Sequence, residues 1–103
     1  MNVFGCLIDN ENRCQHYSSK ADVVSIKFKC CNKYYSCYKC HEKQNNHDVI
    51  LWERNEFNQK AILCGVCKLE LSISEYLAHK NCIHCGFNFN PNCTRHYHKY
   101  FKI

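Results

Sequence analysis

Five soft metal donors fall within one short stretch, Cys30-Cys31-Asn32-Lys33-Tyr34-Tyr35-Ser36-Cys37-Tyr38-Lys39-Cys40-His41. A tetrahedral zinc ion takes four ligands. Five donors here, with more on both sides, imply two ions sharing one piece of backbone. That constraint organises the reading of everything else in the chain.

A chain of 103 residues is expected to form one small domain, 1–103, with a modest hydrophobic core. Domains of this size commonly add cross-links. The 11 cysteines exceed a tenth of the chain, which in this size class means disulfides or metal. Three features favour metal. The number is odd, so complete pairing is excluded; seven histidines lie among the cysteines; and Cys37/Cys40, Cys64/Cys67 and Cys82/Cys85 share the C-x-x-C spacing. That gap lets both sulfurs of a tight turn reach one ion at about 2.3 Å. The start, Met1 to Asp9, lacks the basic and long apolar segments of a secretory signal, and no run is long enough for a membrane helix. A reducing, cytoplasmic setting is expected for thiolates that bind metal.

Residues 1–13 read as an extended lead-in in which Val3, Phe4, Leu7 and Ile8 cover one side of a metal core. Cys6 stands alone there and reads as a structural cysteine rather than a ligand. Cys14-Gln15-His16-Tyr17 is a donor pair with one intervening residue, which puts both side chains on one face of an extended segment. From Asp22 to Lys29, Val24, Ile26 and Phe28 alternate with Ser25, Lys27 and Lys29, the pattern of a half-buried strand. Lys27 and Lys29 form its solvated face, or else support nearby thiolates by their charge.

A helical turn begun at Cys37/Cys40 carries His41 and can return His47 to the same metal; a loop role for His47 is the alternative. Val49 to Trp52 is apolar and reads as packing. Two C-x-x-C knuckles then follow, Cys64-Gly65-Val66-Cys67 and Cys82-Ile83-His84-Cys85, and together they suit a ribbon-like site of four sulfurs. Between them, Leu69 to Lys80 opens as a strand and continues as a short helix capped by Ser72 or Ser74. In the aromatic tail, 88–103, Cys93, His96 and His98 are three further donors. Packing of the tail on the core is its default role, and a fourth metal completed by Cys6, His79 or His84 is the alternative.

The formal charge of +5 carries little weight. Nine metal-bound thiolates remove nine charges and three zinc(II) ions restore six, leaving about +2. Lys27, Lys29, Lys33 and Lys39 do alternate with Tyr34, Tyr35 and Tyr38, as in a single-strand binder. They sit between metal donors, however, and the corrected charge argues against nucleic acid.

The donors Cys14, His16, Cys30, Cys31, Cys37, Cys40, His41, His47, Cys64, Cys67, Cys82 and Cys85 number twelve, enough for three tetrahedral sites. Their order is C-x-H-Y, then C-C, then C-x-x-C-H, a further His and two C-x-x-C knuckles. It resembles the CHY-type zinc finger family over residues 14–85, with every ligand position of the family pattern occupied. The resemblance implies three structural zinc ions in a small metal-stabilised α+β domain. Its strands would be short, with one or two short helices and little regular core, and the finger itself would occupy residues 12–87. It assigns Cys14, His16, Cys37 and Cys40 to the first ion, and Cys30, Cys31, His41 and His47 to the second. Cys64, Cys67, Cys82 and Cys85 hold the third. The interleaving of the first two sets is inferred from order alone, and an exchange of ligands between them stays open.

The chain is similar to the short, stand-alone members of the family. Nothing after residue 85 supplies the eight ligands of the RING domain that follows the finger in the larger ubiquitin ligases, so ligase activity is not implied. The expected function is zinc binding in a non-enzymatic protein-interaction module. The alternative is a zinc-handling or thiol-redox helper for cysteine-rich client proteins. A short fungal member with such a role works in small Tim assembly, which implies the mitochondrial intermembrane space as the alternative compartment.

Overall fold

The computed structural model describes residues 3–45, 47, 49–90 and 97–102. Five strands form one sheet: β1 (Val3–Phe4), β2 (Val24–Phe28), β3 (Lys33–Tyr35), β4 (Lys60–Cys64) and β5 (Glu70–Ser72), in the order β1-β3-β2-β4-β5. All neighbouring pairs are antiparallel except β1 and β3, which run parallel. Two short helices, α1 (Tyr38–Gln44) and α2 (Ile73–Ala78), complete an α+β domain of the expected class. None is long and apolar enough to cross a membrane.

Local chemistry accounts for the helix starts. The N-cap of α1 is Cys37, whose sulfur accepts the backbone N–H of Cys40. A metal-binding knuckle thus doubles as a helix cap. Ser72, one of the two expected caps, begins α2 with a capping box: its hydroxyl accepts the Glu75 N–H while the Glu75 carboxylate accepts the Ser72 N–H.

The central strands carry the apolar core. Ile26, Phe28, Ala61, Ile62, Leu71 and Ile73 are buried, joined by Trp52, Phe89 and Phe101. Each large aliphatic or aromatic side chain there contributes about 1.5–3 kcal/mol by leaving water. Trp52 donates its indole N–H to the Lys27 carbonyl at 2.7 Å. Its backbone exchanges hydrogen bonds with Tyr100 and Lys102, which lays the segment 97–102 against the body of the domain. Phe101 then meets Phe57, Tyr97 and Tyr100 at ring separations near 6 Å (6.0, 6.1 and 5.8 Å), in the edge-on and tilted geometries that aromatic quadrupoles favour.

Several expectations need correction. Leu7 and Ile8 do not cover a metal core; they are exposed, Ile8 at 55%. The alternation in β2 fails at Ser25, which is fully buried although it lies on the face expected to be solvated. Leu63 opposite Ser25 and Tyr34 opposite Lys27 are buried as well, so this second face of the sheet is covered too. Of the two roles open to Lys27 and Lys29, the contacts are with carboxylates at a partly exposed face. Lys29 pairs with Glu56 at 2.5 Å, and Lys27 lies 3.9 Å from Glu70 and over the Tyr34 ring.

Candidate metal centres

The loop before β2 delivers the first donors. Arg13 is anchored to the Asp9 and Glu11 carboxylates and to the carbonyls of Ser19 and Lys20, which fixes the bend leading into Cys14. Asn12, buried and with φ of 73°, donates its amide to the Val23 and Leu63 carbonyls. Its own carbonyl accepts the Ser36 hydroxyl. Ser36 also hydrogen-bonds the Cys14 sulfur, so one small network holds both sides of the site. Cys37 and Cys40 come from the start of α1, and the N–H of Cys6 donates to the Cys40 sulfur. That contact needs Gly5, where a Cβ would lie 2.7 Å from the Cys40 Cβ and 2.8 Å from its sulfur.

Cys30 and Cys31 occupy the turn between β2 and β3, closed by the Asn32 N–H on the Phe28 carbonyl at 2.7 Å. His41 follows Cys40 on α1, fully buried and stacked on Phe28 at 4.2 Å. His47 meets the His41 ring edge-on at 5.0 Å from an exposed position.

The last four donors come from two copies of one knuckle. In each, the residue after the second cysteine turns left-handed (Lys68, φ 64°; Gly86, φ 79°) and its N–H closes on the first cysteine's carbonyl at 2.9 and 2.8 Å. Cys64 accepts the N–H groups of Val66 and Cys67 on its sulfur, and Cys82 accepts those of His84 and Cys85. Gly65 packs against the backbone of Glu11 so tightly that a Cβ would collide with its carbonyl.

The structure collects three groups of four donors, Cys14/His16/Cys37/Cys40, Cys30/Cys31/His41/His47 and Cys64/Cys67/Cys82/Cys85. The donor atoms within each group lie within 4.8 Å of one another. The grouping coincides with the one the family resemblance implied, without exchange between the first two sets. A tetrahedral zinc with bonds of about 2.3 Å to sulfur and about 2.0 Å to nitrogen separates two sulfurs by roughly 3.8 Å and a sulfur from a nitrogen by roughly 3.6 Å. In the first set Cys37 lies 3.7 Å from Cys14 and 3.6 Å from Cys40, and the His16 Nδ1 stands 3.5 Å from both Cys37 and Cys40. In the second, Cys30 and Cys31 are 3.9 Å apart and the His41 Nε2 is 3.3 Å from Cys30. In the third, Cys64–Cys85 and Cys67–Cys82 are 3.8 and 3.7 Å apart. Disulfides would require sulfurs at about 2.05 Å; every described cysteine is free. The number, type and spacing of the donors fit zinc(II).

The electrostatics agree. The sulfur–sulfur hydrogen bond that Cys14 shares with Cys37 holds the Cys14 thiol down to about 4, and that same bond, with burial, pushes Cys37 up. Burial likewise raises Cys31 and Cys40, and lifts Cys64 to about 12. Thiols this crowded resist ionising together unless a cation joins them. Bound zinc(II) supplies that charge and a cross-link, without redox chemistry.

Among the described residues no other candidate donors are brought together. Cys93 and His96 lie outside the described residues. His98 is exposed, as is His84, whose Nε2 lies 3.2 Å from the Glu70 carbonyl. Among the described residues the three groups are the only clusters that could hold a metal. Spacing alone announced the donors but not Gly5, Asn12 or Ser36, which support them. Gly86 did carry a signal, a glycine directly after a C-x-x-C.

The model of the CHY zinc finger family matches residues 14–100, beyond the 14–85 span of the ligands. An uncharacterised protein of Schizosaccharomyces pombe is 43% identical over 98% of this chain and 89% of its own length. Two proteins named Helper of Tim protein 13 are also similar. That of Kluyveromyces lactis is 41% identical over 96% of this chain and 87% of its own, and that of Saccharomyces cerevisiae 38% identical over 97% and 90%. With three complete donor sets, this is a zinc-binding protein with three metal sites. The chain belongs to the CHY zinc finger family.

Proposed function

We propose that this chain is a non-catalytic zinc protein that assists proteins of the Tim class, with the mitochondrial intermembrane space as its compartment. The observation that carries the reading is end-to-end similarity to two Helper of Tim proteins, spanning 96–97% of this chain and 87–90% of theirs. The geometry supports the non-catalytic part: each set has four protein donors, so a tetrahedral ion keeps no position for water or substrate. The surface supports a protein partner. Val66 and Ile83, one from each knuckle of the four-sulfur site, and Leu69 beside them expose apolar side chains.

The test is expression of the tagged chain in Saccharomyces cerevisiae lacking its Helper of Tim protein 13, followed by fractionation and cross-linking. The expected result is protection with intermembrane-space markers and capture of a Tim protein. A triple substitution Val66→Asp, Leu69→Asp, Ile83→Asp should abolish capture while leaving three zinc ions bound. A cytosolic chain that captures no Tim protein would refute the proposal.

A further inference from the structure

Separate stretches of the chain converge on one recess beside the first donor set, a cavity of about 50 Å³. Three tyrosine rings wall it: Tyr17 from the loop before β2, Tyr76 from α2 and Tyr100 from the segment 97–102. Val24 and Ile26 of β2 supply its aliphatic side. The floor is buried at Ile26, Cys37 and Tyr76, whereas Tyr17, Asp22, Val24 and Tyr100 are half-buried and form the mouth. The walls are held from outside. The Tyr17 hydroxyl hydrogen-bonds that of Tyr38, and the Tyr100 hydroxyl accepts the Tyr38 N–H at 3.0 Å. Tyr76 lies against Phe89 and Tyr97 at ring separations of 5.8 and 5.5 Å. The rings are thus placed before any ligand arrives, which lowers the entropic cost of binding.

Apart from the tyrosine hydroxyls, the polar side chains lining the recess are acceptors. Asp22 contributes a carboxylate, Cys37 a sulfur, and Ser36 a hydroxyl whose proton goes to the Asn12 carbonyl. The Asp22 oxygens accept the Ser19 N–H at 3.0 Å and the Asn90 amide at 2.9 Å. A carboxylate has about four acceptor sites, so roughly two remain. Among the described residues no lysine, arginine or histidine lines the cavity; Lys39, whose ammonium lies 5.6 Å from the Tyr17 ring, is outside it. Aromatic faces beside a carboxylate select a cation. An anion would be repelled, and a neutral apolar guest would leave the remaining acceptor sites without a donor. Size narrows the choice. At roughly 10–15 Å³ for each water-sized occupant, the cavity has room for about four heavy atoms. A guanidinium has that size, lies flat against aromatic rings and presents a fork of N–H donors to a carboxylate.

We propose that this recess binds the guanidinium of an arginine side chain on a partner polypeptide, held against the tyrosine rings and paired with Asp22. The site does not depend on the Tim reading, and it is tested on the isolated protein, so either can fail alone.

Zinc-loaded protein is titrated with acetyl-arginine amide, acetyl-lysine amide and the uncharged acetyl-citrulline amide. The ring resonances of Tyr17, Tyr76 and Tyr100 are followed by NMR. The expected result is a saturable shift of these resonances with the arginine amide, at a dissociation constant on the order of millimolar. The lysine amide should bind several-fold more weakly and the citrulline amide not at all. Asp22→Asn should weaken binding of the arginine amide about tenfold. Val24→Phe, which fills the mouth, should abolish it, and native mass spectrometry should find three zinc ions in both variants. Unchanged affinity in zinc-loaded Asp22→Asn would overturn the proposal. So would three results on the wild-type protein alone, whatever the variants do: no saturable shift with the arginine amide, equal binding of the citrulline amide, or preference for the lysine amide.

Discussion

Replacing Gly5 by alanine tests how the amino-terminal segment closes the first metal site, and Gly86→Ala supplies the control. Both glycines have positive φ, 125° and 79°. An added methyl therefore meets backbone strain at both, of order 1–3 kcal/mol. The two positions differ in what else the methyl meets. At Gly86 no atom lies within 4 Å, whereas at Gly5 the Cys40 Cβ and sulfur stand at 2.7 and 2.8 Å. Overpacking of that kind adds roughly 1–3 kcal/mol. Cys40 cannot yield freely, since it belongs to the first donor set and lies in α1. We expect Gly5→Ala to lose about 2–6 kcal/mol and Gly86→Ala about half of that. The assay is guanidinium unfolding in excess zinc, with zinc per chain counted by native mass spectrometry. Gly5→Ala should carry fewer than three zinc ions after dialysis, and Gly86→Ala should carry three. Equal midpoints for the two variants, with three ions in each, would refute the argument that Gly5 is required for the Cys6 N–H to reach the Cys40 sulfur.

Trp52→Phe removes the donor to the Lys27 carbonyl and should destabilise the protein by about 1–3 kcal/mol, read from the same unfolding experiment; an unchanged midpoint would show that carbonyl to be solvated. Acidification gives the third expectation. Burial, with the neighbouring His47, lowers His41 below its ordinary 6.5, so the folded state binds fewer protons than the unfolded one. The stabilisation is fully present above pH 6.5 and fades as the pH falls through the lower folded value, so a titration of unfolding midpoint should fall on the acid side of 6.5. The His41→Gln variant should flatten that slope; an unaltered slope would assign it to other groups.

Much of the metal chemistry was legible because it is local. A C-x-x-C turn, a C-x-H pair and a histidine following a knuckle constrain geometry within a few residues, and no tertiary information is needed to see them. What brings distant donors together was harder to see. That the chain at Asn12 bridges Val23 and Leu63, or that Gly5 lies against Cys40, depends on contacts 11 to 51 residues apart and leaves no periodic trace. Ser25 illustrates the same limit. Alternation predicts which residues share a face, but not whether the second face is also covered, and that is decided by what the rest of the chain lays on it, here around Ser25, Leu63 and Tyr34. Leu7 and Ile8 failed for the converse reason: apolar residues in a loop need not find a core to enter.

Cys40 and His41 are consecutive residues of α1 that serve different ions. Successive side chains on a helix diverge by about 100°, so the two ions flank one turn and that turn is a wall common to both. Pinned by Cys37 and Cys40 on one side, it presents His41 in place on the other, whatever happens there. The pair Cys30 and Cys31 is fixed independently by the sheet, through the turn that joins two paired strands. Three of four donors thus keep their positions without help from the ion they would bind. Most of that donor set is therefore a template assembled before an ion arrives, with the His47 side left to complete it.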